Sequence, residues 1–371
     1  MRDLAFFIVD LWQPGHSRVA AIIAAVDALA RPFSPSVGTP MNSFQAYQIS
    51  SADNGKTVSA AFIQTTLDAL DAGEVTIRVA YSSINYKDAL AATGAGRILR
   101  RFPCIGGIDL AGTVSSSADA RFKPGDRVLV TGYDLGVAHH GGYSEYARVP
   151  ADWVVPVPSA MGLDDAMAIG TAGFTAALAV ARMEDNGLRP GQGPVIVTGA
   201  SGGVGSVAVN ILAGRGYQVT AVTGKDAEHD YLRSLGAREV LSRHTLEMGK
   251  RPLEKTTWAG AVDTVGGEPL AWLTRTMMIG GSIGACGLTA GIELNTTVMP
   301  FILRGVNLLG VDSVNCPMAP RTELWQRLCA DLKPAQLTAM KKTIPFAELP
   351  QAFEPFLKAQ VRGRIVVAIG A

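Results

Sequence analysis

The chain has 371 residues, with 33 basic against 32 acidic side chains and a formal net charge of +1. Hydrophobic residues make up 48% and charged residues 18%, the latter below the roughly 25% usual for globular chains, which excludes a disordered or rod-like charged polypeptide. Balanced charge excludes a global field that would draw the protein onto nucleic acid or an anionic membrane, and the length implies two domains.

In chain order, residues 1–40 come first. Ala20 to Ala30 is Ala-rich, but Asp27 interrupts it and Asp3 and Asp10 precede it, against an export signal. Residues 1–40 are therefore expected to be a non-core extension. No uninterrupted apolar run reaches the roughly 18 residues of a membrane span, so no membrane partner is expected. Cys104, Cys286, Cys316 and Cys329 are too far apart for a C-x2-4-C knuckle, and read as reduced thiols of a cytoplasmic protein.

Residues 41–165 carry short β-rich runs separated by Gly and Pro: Val75 to Ser82, Leu110 to Val114, Arg127 to Val130 and Tyr143 to Val149. That spacing predicts a small antiparallel barrel. The turn Lys123-Pro124-Gly125-Asp126 leads into the third run. Near residue 165 the texture becomes Ala-rich and helical, through Thr171 to Leu178.

Across residues 166–316 strand and helix patterns alternate, which predicts a doubly wound parallel sheet. The strands are Pro194 to Thr198, Gln218 to Val222, Glu239 to Ser242, Gly260 to Val265, Ser282 to Ala285 and Leu308 to Val314; helices fall at Val204 to Ala213 and Ala227 to Leu235. Residues 317–371 read as two helices, Thr322 to Leu332 and Ala347 to Ala359, then a strand, Arg364 to Ile369, returning to the first domain.

Between the first strand and first helix of the second domain lies Ala200-Ser201-Gly202-Gly203-Val204-Gly205. Ala stands in the first place of G-x-G-x-x-G. The remaining glycines admit a pyrophosphate to the backbone, where a helix N-terminus offers free N–H groups. About 20 residues on, where a carboxylate would bind the ribose 2′-hydroxyl of NAD, the chain has Val222-Thr223-Gly224-Lys225. A cation with small donors suits a 2′-phosphate, so NADPH is the expected cofactor, against the plainer view of Lys225 as a solvated lysine.

Taken together, Ser83-Ile84-Asn85-Tyr86-Lys87-Asp88-Ala89, Gly107 to Gly112, Gly170 to Thr175, Gly199 to Gly205, Asp263 to Gly266, Pro300 to Arg304 and Gly310 to Ser313 resemble the acryloyl-CoA reductase family. That family lies in the zinc-free quinone-reductase branch of the medium-chain dehydrogenases/reductases. The resemblance implies an α/β protein with a GroES-like β-barrel catalytic domain, a Rossmann domain and NADPH in the cleft between them. By position it implies cofactor contacts from Tyr86, Ser201, Gly202, Gly203, Val204, Thr223, Gly224, Lys225, Arg243, Leu288, Ile302 and Ser313. The family more often has Ser-Gly-Arg where this chain has Thr223-Gly224-Lys225, and Lys is a point charge rather than a fork.

No metal site is expected: Gly107 to Gly112 stands where zinc-dependent relatives carry a His-Glu pair, and His139 and His140 have no Cys nearby. Asp109 is expected to organise neighbouring donors. Tyr86, Asn85 and Asp88 are the catalytic candidates, with Tyr86 relaying a proton or only packing on the cofactor. Arg97, Arg100 and Arg101 are candidates for the phosphates of an acyl-CoA substrate, or a solvated basic turn. The expected reaction is NADPH-dependent reduction of acryloyl-CoA to propionyl-CoA by hydride transfer to the β-carbon. The alternatives are a quinone or enone reductase and a non-catalytic NADPH-binding protein. The edge at Leu308 to Val314 predicts a homodimer.

Overall fold

The computed structural model describes residues 43–370; the expectation for residues 1–40 lies outside them. Strands β1 (Phe44–Ser50) and β2 (Ser59–Thr65) form an antiparallel hairpin in which Phe44 faces Thr65. β3 (Val75–Ile84) alternates as a half-buried strand should: Ile77 and Val79 are fully buried while Arg78 between them is exposed. Helix α1 (Tyr86–Thr93) follows, then β4 (Cys104–Ile105), which pairs with β1. β5 (Asp109–Ser117), β6 (Arg127–Thr131), β7 (Tyr146–Val149) and β8 (Val155–Pro156) complete an antiparallel assembly around β3. Val75, Ile77, Leu110, Val128 and Val130 fill its core. The run expected from Tyr143 becomes ladder only at Tyr146, Ser144 making a lone bridge to Ala46.

The span Leu163–Asp185, labelled α2, is two helical pieces joined at a kink where Gly170 has a non-helical φ of 50°; by length and apolarity it could cross a membrane, yet 83% of its apolar window is buried inside the protein. It packs on β5 on one side and on the second sheet on the other. That sheet contains β9 (Val195–Val197), β10 (Val219–Thr223), β11 (Glu239–Ser242), β12 (Trp258–Asp263), β13 (Met277–Ala285) and β14 (Asn307–Gly310). All pairs are parallel, in the order β11-β10-β9-β12-β13-β14. This is the Rossmann order, in which ligands lie beyond the carboxyl ends of the central strands. Helix α3 (Gly203–Gly214) leaves the turn after β9. β14 stops earlier than its composition predicts, because Asp312 Oδ1 accepts from Val314 N and Asn315 N and turns the chain away.

The tail divides between the two cores. Leu324, Trp325 and Leu328, on and just after α4 (Met318–Arg327), join the Rossmann core. β15 (Lys341–Pro345) and β16 (Arg364–Ala368) extend the first sheet, with Ile365 facing Ile84 of β3 across an antiparallel ladder.

Candidate active site

The turn after β9 requires its glycines. A side chain on Gly205 would put Cβ 2.4 Å from the Gly199 carbonyl oxygen and 2.6 Å from Ala200 Cα, and Gly199 itself has φ +57°. Turn and helix therefore approach as closely as backbone allows, which presents the first N–H groups of α3 outward. Ser201, Gly202, Gly203 and Val204 all lie on this turn or at the start of α3.

The carboxyl end of β10 collects the next group. Thr223 Oγ1 lies 2.9 Å from Ser201 Oγ and accepts from Lys225 N at 3.1 Å. Arg243 donates its backbone N–H to the Thr223 carbonyl at 2.8 Å, and its guanidinium covers Gly224, where a Cβ would sit 2.8 Å from Cζ. Lys225 Nζ donates to the Val361 carbonyl at 2.5 Å, and burial lowers its pKa. The tip of β10 itself carries no carboxylate, and Lys225 and Arg243 each place a cation near it, with Glu228 the acid whose charge acts on Lys225.

Where barrel and Rossmann sheet meet, Asn85 caps α1 and Asp88 closes a capping box: Asp88 Oδ2 accepts from Asn85 N at 2.8 Å. Asp88 Oδ1 accepts from Ile108 N at 3.0 Å. Asp109, 0% exposed, accepts from Ser83 Oγ (2.6 Å), Asn85 Nδ2 (2.8 Å), Thr171 N (3.0 Å) and Thr171 Oγ1 (2.5 Å). Arg364 of β16 lies 3.8 Å from Asp109 and donates to Ser83 Oγ, Asn85 Oδ1 and the Ala168 carbonyl. Burial, and then the charge of Asp109, push the Asp88 carboxyl up to about 7. Gly170, at φ +50°, makes room for the cluster: a Cβ there would lie 2.6 Å from Asp109 Oδ2 and 2.7 Å from Arg364 Nη2. Arg364 Nη1 also lies against Gly203, 3.2 Å from where its Cβ would be. One guanidinium therefore joins the capping box to the phosphate-binding turn.

The structure brings Asn85 and Asp88 together as buried supports and leaves Tyr86, at the first position of α1, 42% exposed. Ser313 Oγ lies 2.7 Å from Thr175 Oγ1, which reaches the Thr171 carbonyl at 2.7 Å, so Ser313 belongs to the same region. Leu288 and Ile302 are exposed apolar residues on the segments between β13 and β14. The three arginines separate: Arg101 turns onto Asp71, Arg100 pairs with Asp134, and Arg97 is exposed with no ion pair among the described residues. His139 and His140 face Asp71, and His140 Nδ1 accepts from Ile105 N at 3.1 Å. Among the described residues no group of three or more His, Cys, Asp or Glu side chains is placed to hold a metal ion.

Sequence reasoning missed Arg364, Thr175 and the tie of Lys225 to Val361. Arg364 stood only as the first residue of a strand, 281 positions from Ser83, and no spacing rule connects such distant residues.

A dinucleotide-binding Rossmann sheet joined through a buried polar cluster to a small barrel defines an oxidoreductase of the medium-chain dehydrogenase/reductase type. Residues 71–159 match the alcohol dehydrogenase GroES-like domain and residues 203–329 match the zinc-binding dehydrogenase family. The chain is 52% identical to the acrylyl-CoA reductase AcuI of Ruegeria pomeroyi over 86% of its own length and 97% of that protein. It is 50% identical to the putative quinone oxidoreductase YhfP of Bacillus subtilis, over 88% and 99%. The yhdH oxidoreductase of Salmonella enterica, solved in complex with NADP, superposes with a TM-score of 0.85 at 50% identity, over 88% of this chain and 99% of that one. The chain belongs to the acrylyl-CoA reductase family within the medium-chain dehydrogenases/reductases.

Proposed function

We propose that this chain is a zinc-independent enzyme that uses NADPH to reduce the double bond of acryloyl-CoA, a short 2-enoyl-CoA, to propionyl-CoA. The observation that carries the reading is 52% identity across 97% of a protein named for that reaction. The cofactor assignment is supported by the NADP complex of the Salmonella relative and by the donor set at β10. Lys225 keeps two of its three N–H donors after bonding Val361, and Arg243 adds a fork, which together suit a 2′-phosphate.

Bound NADPH would supply a hydride to the β-carbon of the enoyl thioester. The N–H groups of Ser201, Gly203 and Val204 would hold the pyrophosphate, since Gly202 N–H already donates to the Gly199 carbonyl, and Thr223, Lys225 and Arg243 would hold the 2′-phosphate. Charge develops at the thioester oxygen, so donors aimed there lower the barrier. Tyr86 is the exposed hydroxyl nearest in sequence to the buried cluster, and is assigned the α-carbon proton; Asn85 and Asp88 hold its helix in place. Arg97, the unpaired member of its cluster, takes a CoA phosphate, with Arg100 and Arg101 shaping the loop.

The second reading, quinone or enone reduction, is favoured by the name of the Bacillus relative. Turnover of NADPH with acryloyl-CoA, crotonoyl-CoA, 1,4-benzoquinone and 2-cyclohexenone separates the two. With 4-deuterated NADPH, label at C3 of propionyl-CoA supports the proposal; label at C2, or quinone turnover without enoyl-CoA turnover, overturns it. Tyr86→Phe should lower kcat. We place the protein in the cytoplasm, where four free thiols are stable. We also propose a homodimer through the outer strand β14, just before which in the chain Val298, Ile302 and Leu303 are exposed; size-exclusion chromatography with light scattering tests it.

A further inference from the structure

Arg321, on α4, is 0% exposed, yet it belongs to none of the ion pairs among the described residues. Its five hydrogen bonds go to neutral oxygens: Nε to the Cys316 carbonyl (3.3 Å), Nη1 to the Thr131 carbonyl (2.8 Å) and Oγ1 (3.2 Å), and Nη2 to the carbonyls of Ser313 and Val314 (3.0 Å each). The rings of Tyr133 and Phe174 lie 4.6 and 5.1 Å from Cζ. A buried charge without a counter-ion is costly, and here dipoles and ring faces offset that cost. An apolar side chain would fill the space without any of it.

The acceptors show where the charge acts. Thr131 ends β6 of the barrel, whereas Ser313, Val314 and Cys316 belong to the segment leaving β14 of the Rossmann sheet. The backbone between them is drawn tight. Tyr133 donates its N–H to the Val314 carbonyl at 3.0 Å, and a Cβ on Gly132 would lie 2.8 Å from that oxygen. Gly132 has φ +83° and Tyr133 φ +53°, the latter strained for a non-glycine residue and held under the guanidinium.

We propose that Arg321 is a positioning residue that fixes the Ser313–Val314 wall of the cleft to the barrel and so sets the nicotinamide end of the cofactor site. The proposal rests on the NADPH reading above. The adenosine end lies at β10 and Ser313 follows β14, on opposite sides of the strand-order reversal, so Arg321 acts on one end of a dinucleotide only. Lysine cannot replace it, having neither the planar fork nor five donors.

The test compares two ligands. NADPH spans both ends; 2′,5′-ADP fills only the adenosine end. Arg321→Met should weaken NADPH about tenfold, the equivalent of roughly 1.4 kcal/mol, and lower kcat similarly, while the Kd of 2′,5′-ADP stays within about twofold of wild type. Arg321→Lys should fall in the same direction. Gly132→Ala disturbs the junction from the barrel side and should give the same split, which keeps the test open where Arg321→Met does not fold. Parallel losses for both ligands would assign Arg321 a merely structural role, and unchanged NADPH binding and kcat would leave it none; either overturns the proposal. A wild-type chain that binds neither ligand would remove the cofactor reading itself.

Discussion

Asp88→Asn should change how stability depends on pH, and the sign follows from the side chain's surroundings. The carboxyl is fully enclosed and faces Asp109, which raises its native pKa from an ordinary 3.8 to about 7. A raised native pKa means that the folded chain keeps this proton after the unfolded chain has lost it. Stability from the group is therefore present at low pH and is lost as pH climbs from about 4 to about 7. Three pK units correspond to ~4 kcal/mol, of which roughly 2.5 kcal/mol falls between pH 5 and pH 8. Asparagine has no such proton, and its single amide oxygen serves only one of the N–H groups of Asn85 and Ile108 that Asp88 now accepts. At pH 5 the variant should be less stable than wild type by about 1–3 kcal/mol, the cost of a stranded buried donor. At pH 8 the deficit should vanish or reverse. Urea unfolding from pH 5 to 8 measures both curves. Parallel curves would refute the reasoning, because Asp88 would then not titrate between folded and unfolded states in that window.

Gly170→Ala should cost more than about 2 kcal/mol in urea unfolding, combining a left-handed backbone with a Cβ driven into Asp109, Arg364 and Ser83. Lys225→Glu should weaken NADPH far more than NADH, since attraction becomes repulsion only at the 2′-phosphate; equal losses by fluorescence titration would clear Lys225 of that role. Activity should survive dialysis against EDTA, and elemental analysis should find no stoichiometric zinc; one zinc per chain with chelator-sensitive turnover would contradict this.

The parallel sheet was legible because β-branched runs such as Val195-Ile196-Val197 and Val219-Thr220-Ala221-Val222 alternate with helical stretches of ordinary length. The phosphate-binding turn was legible because its glycines answer a local steric demand. β15 was not: Lys341-Lys342-Thr343-Ile344-Pro345 has edge-strand chemistry, and its pairing with β16 is fixed by tertiary contact rather than by pattern. Similarly, Asp109 reads from sequence as an organiser of donors, and it accepts from Ser83, Asn85 and Thr171. Its cationic neighbour Arg364 arrives from the far end of the chain, beyond any local signal. The arginine cluster shows what spacing does not reveal: Arg97, Arg100 and Arg101 are close in sequence, yet Arg100 faces Asp134, Arg101 faces Asp71 and Arg97 has no ion pair among the described residues.

The distance between Arg364 and the residues it serves also bears on how the protein is made. Ribosomes deliver β3, α1 and β5 early, and these strands bring Asp88 and Asp109 together while 281 residues still separate Ser83 from its guanidinium partner. Until β16 emerges, the nascent barrel carries two crowded carboxyls and an open edge on β3. A chain cut short before Arg364 would hold nearly every other part of the cleft and still lack the cation that binds its halves.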